Sequence, residues 1–198
     1  IANAVPTSGG TFTGAVTVQG NFSADGGTIK LDGNYPNGVN NVALGNTALD
    51  TASGSNGYSV AIGTNALTAM TSGGSNVAVG YASAAAMTTG GNNVSVGSEA
   101  LDATTTGNSN VAVGSAALGA NTTASANTAV GYQAMQANTT ASNNTAVGYQ
   151  AGYLNTTGVN NLSLGYQAGY TNATGNYNTN VGTQSLANNT GSNNVALG

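Results

Sequence analysis

Residues 110–114 read Asn-Val-Ala-Val-Gly, and residues 76–80 repeat the same five letters. Close variants end on Gly45, Gly63, Gly97, Gly131, Gly148, Gly165, Gly182 and Gly198. The ten copies are phased at spacings of 18, then 17 seven times over, then 16 residues. A flexible linker would not hold such a register. Self-similarity at a fixed short period is the signature of a solenoid-like array. The residue before each glycine is always aliphatic, from Leu44, Ile62 and Val79 through to Leu164, Val181 and Leu197. Two residues earlier stand mostly β-branched residues, Val77, Val94, Val111, Thr128 and Thr145 among them. This period-2 alternation predicts a very short strand with both columns on one face, turned inward. Between them runs a column of small residues such as Ala61, Ala78, Ala112, Ala129 and Ala146. Its smallness predicts that the opposite face is also dry and closely packed.

The strand is preceded by Asn41, Asn76, Asn93, Asn110, Asn127, Asn144, Asn161, Asn178 and Asn194, with Ser59 the one exception. Asn suits a corner, because it tolerates left-handed backbone and bonds locally. Stacked one coil apart, the amides can also bond to one another as a ladder. The repeat glycine suits a second corner. A second apolar column follows it, as in Ala66–Leu67, Ala100–Leu101 and Ala117–Leu118, and a Thr-rich turn closes the coil, so each coil is expected to hold two very short strands and two or three corners. The expected fold is therefore all-β, a parallel β-roll or solenoid of about ten 17-residue coils over residues 39–198. So thin a coil is marginal alone, and burying the all-small face about an axis predicts a homotrimer.

Composition narrows the chemistry. The 198 residues include one basic residue, Lys30, no His, no Cys and no Trp, for a formal net charge of −4. Only 3% are charged, against roughly 25% in ordinary globular chains. No Ser-His triad, thiolate nucleophile, disulfide or usual zinc site can be built, and no cofactor is expected. One basic residue cannot neutralise a phosphate backbone, so nucleic acid is not an expected partner. No run is apolar enough to span a membrane.

The Asn-x-Val-Ala-Val-Gly columns, Gly-Tyr-Gln-Ala at residues 131–134, 148–151 and 165–168, and the Asn-Thr-Thr turns resemble a known family. They look like the head repeats of YadA-type trimeric autotransporter adhesins, which also occur in phage tail fibres and tail spikes. The resemblance covers about residues 40–198 and implies a trimer of left-handed parallel β-rolls. Residues 1–38 differ: Ser8-Gly9-Gly10-Thr11-Phe12-Thr13-Gly14 looks like a phage fibre-shaft segment. The expectation is a structural and adhesive segment of an extracellular fibre, first a phage tail fibre and second a bacterial surface adhesin. The chain is expected to be one portion of a longer fibre.

Three features bear on function. Tyr132, Tyr149 and Tyr166 follow the repeat glycine, and Tyr153 and Tyr170 lie four residues further on. They are the candidate contacts for a host glycan or protein receptor, although mutual stacking is the favoured reading. Glu99 and Asp102 are the close carboxylate pair on which the alternative, a tailspike depolymerase with an inter-chain site, would depend, but isolated surface acids are the favoured reading and no enzyme is expected. Threonine pairs such as Thr88–Thr89 and Thr122–Thr123 invite comparison with ice-binding solenoids, but turn-forming hydroxyls explain them. Asn-x-Thr matches at Asn121, Asn138 and Asn155 follow from composition.

Overall fold

A computed structural model describes residues 40–51 and 57–198. The shaft-like segment expected over residues 1–38 lies outside the described residues. Ten three-residue strands form: β1 Val42–Leu44, β2 Val60–Ile62, β3 Val77–Val79, β4 Val94–Val96, β5 Val111–Val113, β6 Thr128–Val130, β7 Thr145–Val147, β8 Leu162–Leu164, β9 Thr179–Val181 and β10 Val195–Leu197. They make one parallel sheet in sequence order. Each residue pairs with its own repeat equivalent, as in Val94↔Val111 and Ala112↔Ala129. The all-β solenoid is thus present, with one strand per coil at the residues the alternation marked. Among the described residues the second strand expected at the Ala–Leu column is a run of turns instead, because residues such as Glu99 and Leu101 are left-handed there.

Outside the strands each coil is zipped to both neighbours. The N–H of Gly114 donates to Val96 and that of Ala116 to Ser98, toward the preceding coil. The N–H groups of Leu118, Ala120 and Thr122 donate to Ala134, Gln136 and Thr139, toward the next one. Peptide groups that a 17-residue coil could not satisfy internally are therefore satisfied by stacking, as buried backbone requires.

The inside of the coil corrects the expectation from alternation. Ala61, Ala78, Ala112 and Ala129 are fully buried, whereas the flanking aliphatic columns are half-buried and face outward. The small column belongs to the coil's own core and the aliphatic columns belong to its surface. The reason is width. The facing wall already sends one long side chain per coil inward, such as Leu67, Leu101, Leu118 or Met135, all buried with the Ala column in one cluster. A Cβ built on Gly152, which occupies the same repeat position as Met135, would lie 3.6 Å from Ala146 Cβ. Only a methyl fits on the strand side.

The corners carry a second correction. The conserved-position Asn residues do not adopt left-handed backbone; the residue just before each of them does. Ser75, Asn92, Ser109 and Ala126 have φ between 57° and 59°. Glu99 and Leu101, with Ala116 and Leu118 one coil on, are left-handed too. A left-handed non-glycine residue costs roughly 1–2 kcal/mol, so the rung-to-rung bonds must outweigh three such residues in most coils. The repeat glycine is irreplaceable for a different reason. Gly97 has φ +137°, and a Cβ there would lie 2.6 Å from the carbonyl carbon and oxygen of Gly114.

The burial pattern makes a direct prediction. Ala112→Leu forces extra volume into a filled interior and should lower unfolding stability by about 1–3 kcal/mol. Leu at an outward position, Val113→Leu, should change stability far less. Denaturant unfolding followed by circular dichroism measures both, and an Ala112→Leu variant as stable as Val113→Leu would contradict the interior assignment.

Candidate functional site

The corner asparagines form a continuous buried ladder. The backbone N–H of Asn110 donates to Asn93 Oδ1 at 2.9 Å, and Asn127 repeats the bond to Asn110 Oδ1 at 3.0 Å. The same step runs from Asn93 to Asn76, Asn144 to Asn127, Asn161 to Asn144, Asn178 to Asn161 and Asn194 to Asn178. At its start, Ser59 N–H donates to Asn41 Oδ1. The amides from Asn76 to Asn178 also close their own coils, since Asn110 Nδ2 donates to the Ala124 carbonyl at 2.9 Å and Asn127 Nδ2 to that of Ala141. Ser59 keeps half of this function: its hydroxyl accepts from Asn76 N–H at 3.2 Å.

A second ladder was not read from the sequence. Asn121, Asn138, Asn155 and Asn172 are buried, inside the turn that the Asn-Thr-Thr motif forms. Asn138 Nδ2 donates to Asn121 Oδ1 at 3.1 Å, and Asn121 Nδ2 donates to Thr104 Oγ1 at 3.1 Å. Asn155 and Asn172 instead bracket their own turns through Gly158 and Gly175. Burial removes Asn121, Asn138 and Asn155 as glycan acceptors. The available signal was the 17-residue phase of these asparagines.

The tyrosines form two stacks. Tyr132 and Tyr149 lie 5.4 Å apart between ring centroids at 18°, and Tyr149 and Tyr166 lie 5.3 Å apart at 9°. Tyr153 and Tyr170 form a separate pair at 5.1 Å and 6°. Tyr132, Tyr149 and Tyr166 remain 44–48% exposed. Beside them runs an amide ladder that sequence reading overlooked: Gln150 donates to Gln133, Gln167 to Gln150 and Gln184 to Gln167, at 2.8, 3.0 and 3.3 Å. In each stack the ring faces toward a partner are spent on that partner, so the stack offers mainly edges and hydroxyls to a ligand.

Thr88, Thr105, Thr122 and Thr139 donate their hydroxyls to the next coil's carbonyls at 3.0–3.2 Å. The second member of each pair, such as Thr89, Thr106 or Thr123, is exposed. The hydroxyls of the first column are thus structural. Glu99 is exposed and Asp102 half-buried in the coil of β4. Burial first, and the charge of Glu99 second, push the Asp102 carboxyl above the usual Asp range. The repeat equivalents on the two adjoining coils are Ala82 and Ala116 for Glu99, and Ala85 and Gly119 for Asp102. Among the described residues no cluster of three or more His, Cys, Asp or Glu could hold a metal, and no helix is long and apolar enough to cross a membrane.

An apolar surface lies on the outer face of the sheet, where Val77, Val94 and Val111 run beside Val79, Val96 and Val113, all half-buried. Leu44, Leu164 and Leu197 on the same face are 45%, 42% and 75% exposed. Comparison with protein-family profiles, curated proteins and solved structures found no significant match to this chain.

The ladder yields a graded prediction. Asn127→Ala strands the buried N–H of Asn144, at about 1–3 kcal/mol for a buried group left unpaired, and leaves the Ala141 carbonyl with Asn138 Nδ2 as its remaining donor. Asn127→Ser, which restores the acceptor as Ser59 does, should recover part of that loss. Equilibrium unfolding of the two variants checks the order, and equal stability of Asn127→Ala and the parent would remove the ladder's energetic role.

Proposed function

We propose that this array is a stiff structural segment of an extracellular homotrimeric fibre that spaces or presents a host-contact surface. A phage tail fibre is the first reading, and the head of a bacterial surface adhesin is the second. The single observation that carries it is the outer face of the ten-stranded sheet. A coil whose interior is already filled by Ala, Leu and Met has no internal use for two further aliphatic columns. Ten strands at about 4.8 Å spacing make that face about 45 Å long. One of its two columns is aliphatic throughout and the other is interrupted only by Thr128, Thr145 and Thr179. A largely apolar surface of this extent marks an interface, and identical faces closing about an axis satisfy all copies at once. The aliphatic face, not the alanine column, then lies at the axis.

The proposed mechanism is mechanical. Backbone ladders and buried amides resist bending and slippage, and the near-absence of charge leaves little for salt or pH to disturb. Host contact, to a glycan or protein receptor, is assigned to Tyr132, Tyr149, Tyr153, Tyr166 and Tyr170 with the adjoining glutamines, which offer hydroxyl and amide groups on an uncharged strip. A polysaccharide depolymerase, the reading of another class, would need Glu99 and Asp102 to flank a cleft at a defined separation, and we read this one exposed and one half-buried acid as isolated surface acids.

Light scattering on the full chain tests the assembly. The expected species has three times the 19.0 kDa of one chain and resists detergent until heated. Val96→Asp with Val147→Asp, three rungs apart on the same face, should give a folded monomer with unchanged β-type circular dichroism. A parent protein that is monodisperse at one chain mass would overturn the trimer.

A further inference from the structure

The stacked tyrosines fit a chemistry that the fibre reading does not use. We propose that the columns Tyr132–Tyr149–Tyr166 and Tyr153–Tyr170 are sites of intrachain oxidative cross-linking, in which dityrosine bonds staple neighbouring coils. Three observations converge. The ring pairs are held at centroid distances of 5.1–5.4 Å and within 18° of parallel. The rungs beneath them are fixed by backbone bonds such as Gln150 N–H to the Tyr132 carbonyl and Ala137 N–H to that of Tyr153, so the Cα atoms that carry the rings keep their spacing. The rings of Tyr132, Tyr149 and Tyr166 are nearly half exposed and open to an oxidant.

The oxidant is hydrogen peroxide acting through a haem peroxidase. Each of two phenols loses one electron and one proton. The two phenoxyl radicals form one carbon–carbon bond between ring positions ortho to the oxygens. Rearomatisation moves the two displaced ring hydrogens onto the oxygens. One peroxide becomes two waters, and the chain loses two hydrogens for each bond made.

Exposure and geometry predict different products, which makes the inference testable. Tyr58, Tyr81 and Tyr177 are the more exposed residues, at 68%, 54% and 60%. Their repeat equivalents on the adjoining coils are Asn40 and Ser75, Thr64 and Ser98, and Asn160 and Asn193, so none has a ring to couple with. Dilute full-length chain is treated with a haem peroxidase and limiting peroxide, then followed by dityrosine fluorescence, intact mass and peptide mapping. The expected product loses two hydrogens per link without gaining a second chain, and its links map to Tyr132–Tyr149 or Tyr149–Tyr166 and to Tyr153–Tyr170. Tyr149→Phe should abolish links within the first column and leave Tyr153–Tyr170 intact. Oxidation in denaturant should erase the preference. Links that follow exposure, links only between chains, or no links at all would overturn the proposal; none of these readouts depends on the fibre function.

Discussion

In-register parallel stacking is the constraint from which the rest of this structure follows. Because each residue pairs with its own repeat equivalent, every position must tolerate a near-copy of itself one rung away. Amides pass this test by donating and accepting, as the Asn and Gln ladders do. Tyr passes by stacking, and Thr by bonding to the next carbonyl. A like charge fails it, since two unit charges one rung apart repel by about 1 kcal/mol even in water. That accounts for a chain with only 3% charged residues, and Glu99 and Asp102 stand in columns whose neighbouring rungs are neutral.

Within a coil the constraint is complementarity across a narrow interior. Where the facing wall supplies Leu118, the strand supplies Ala112. Where the wall supplies Gly169, the strand supplies Asn180, and a Cβ on Gly169 would meet Asn180 Nδ2 and Ser163 Oγ at 2.5 Å. Asn180 Nδ2 in turn donates to Ser163 Oγ at 3.2 Å. At this rung a polar side chain from the strand fills space that a Leu or Met from the wall fills in other coils, as close packing demands.

Much of this was legible in the letters. The strands fall on the residues that alternation marked, and the Asn column is a ladder because its amides recur in phase. The inside of the coil was not legible, for a physical reason. Alternation says that two faces differ but does not say which is buried when both are apolar, and Val113 outweighs Ala112 on any hydrophobicity scale. Width decided it, and width depends on Leu118 arriving from the other wall. The left-handed positions were also hidden, because Ala126, Leu118 and Glu99 adopt that backbone without glycine's help. The rung-to-rung bonds impose it. The buried Asn121–Asn138 step was disguised as a turn motif, since an Asn before two threonines reads equally well as a solvated loop.

The central claim is that the alanine column lies inside the coil and the aliphatic columns lie on its outer face. The chain has no cysteine, so single thiols report this without background. The most direct measurement compares native-state thiol labelling of Ala112→Cys and Val113→Cys at matched protein concentration. The account predicts that the thiol of Ala112→Cys stays unreactive until the protein is unfolded. That of Val113→Cys should be protected in the assembled species and released on dissociation. Rapid labelling of Ala112→Cys in the folded protein would contradict the account.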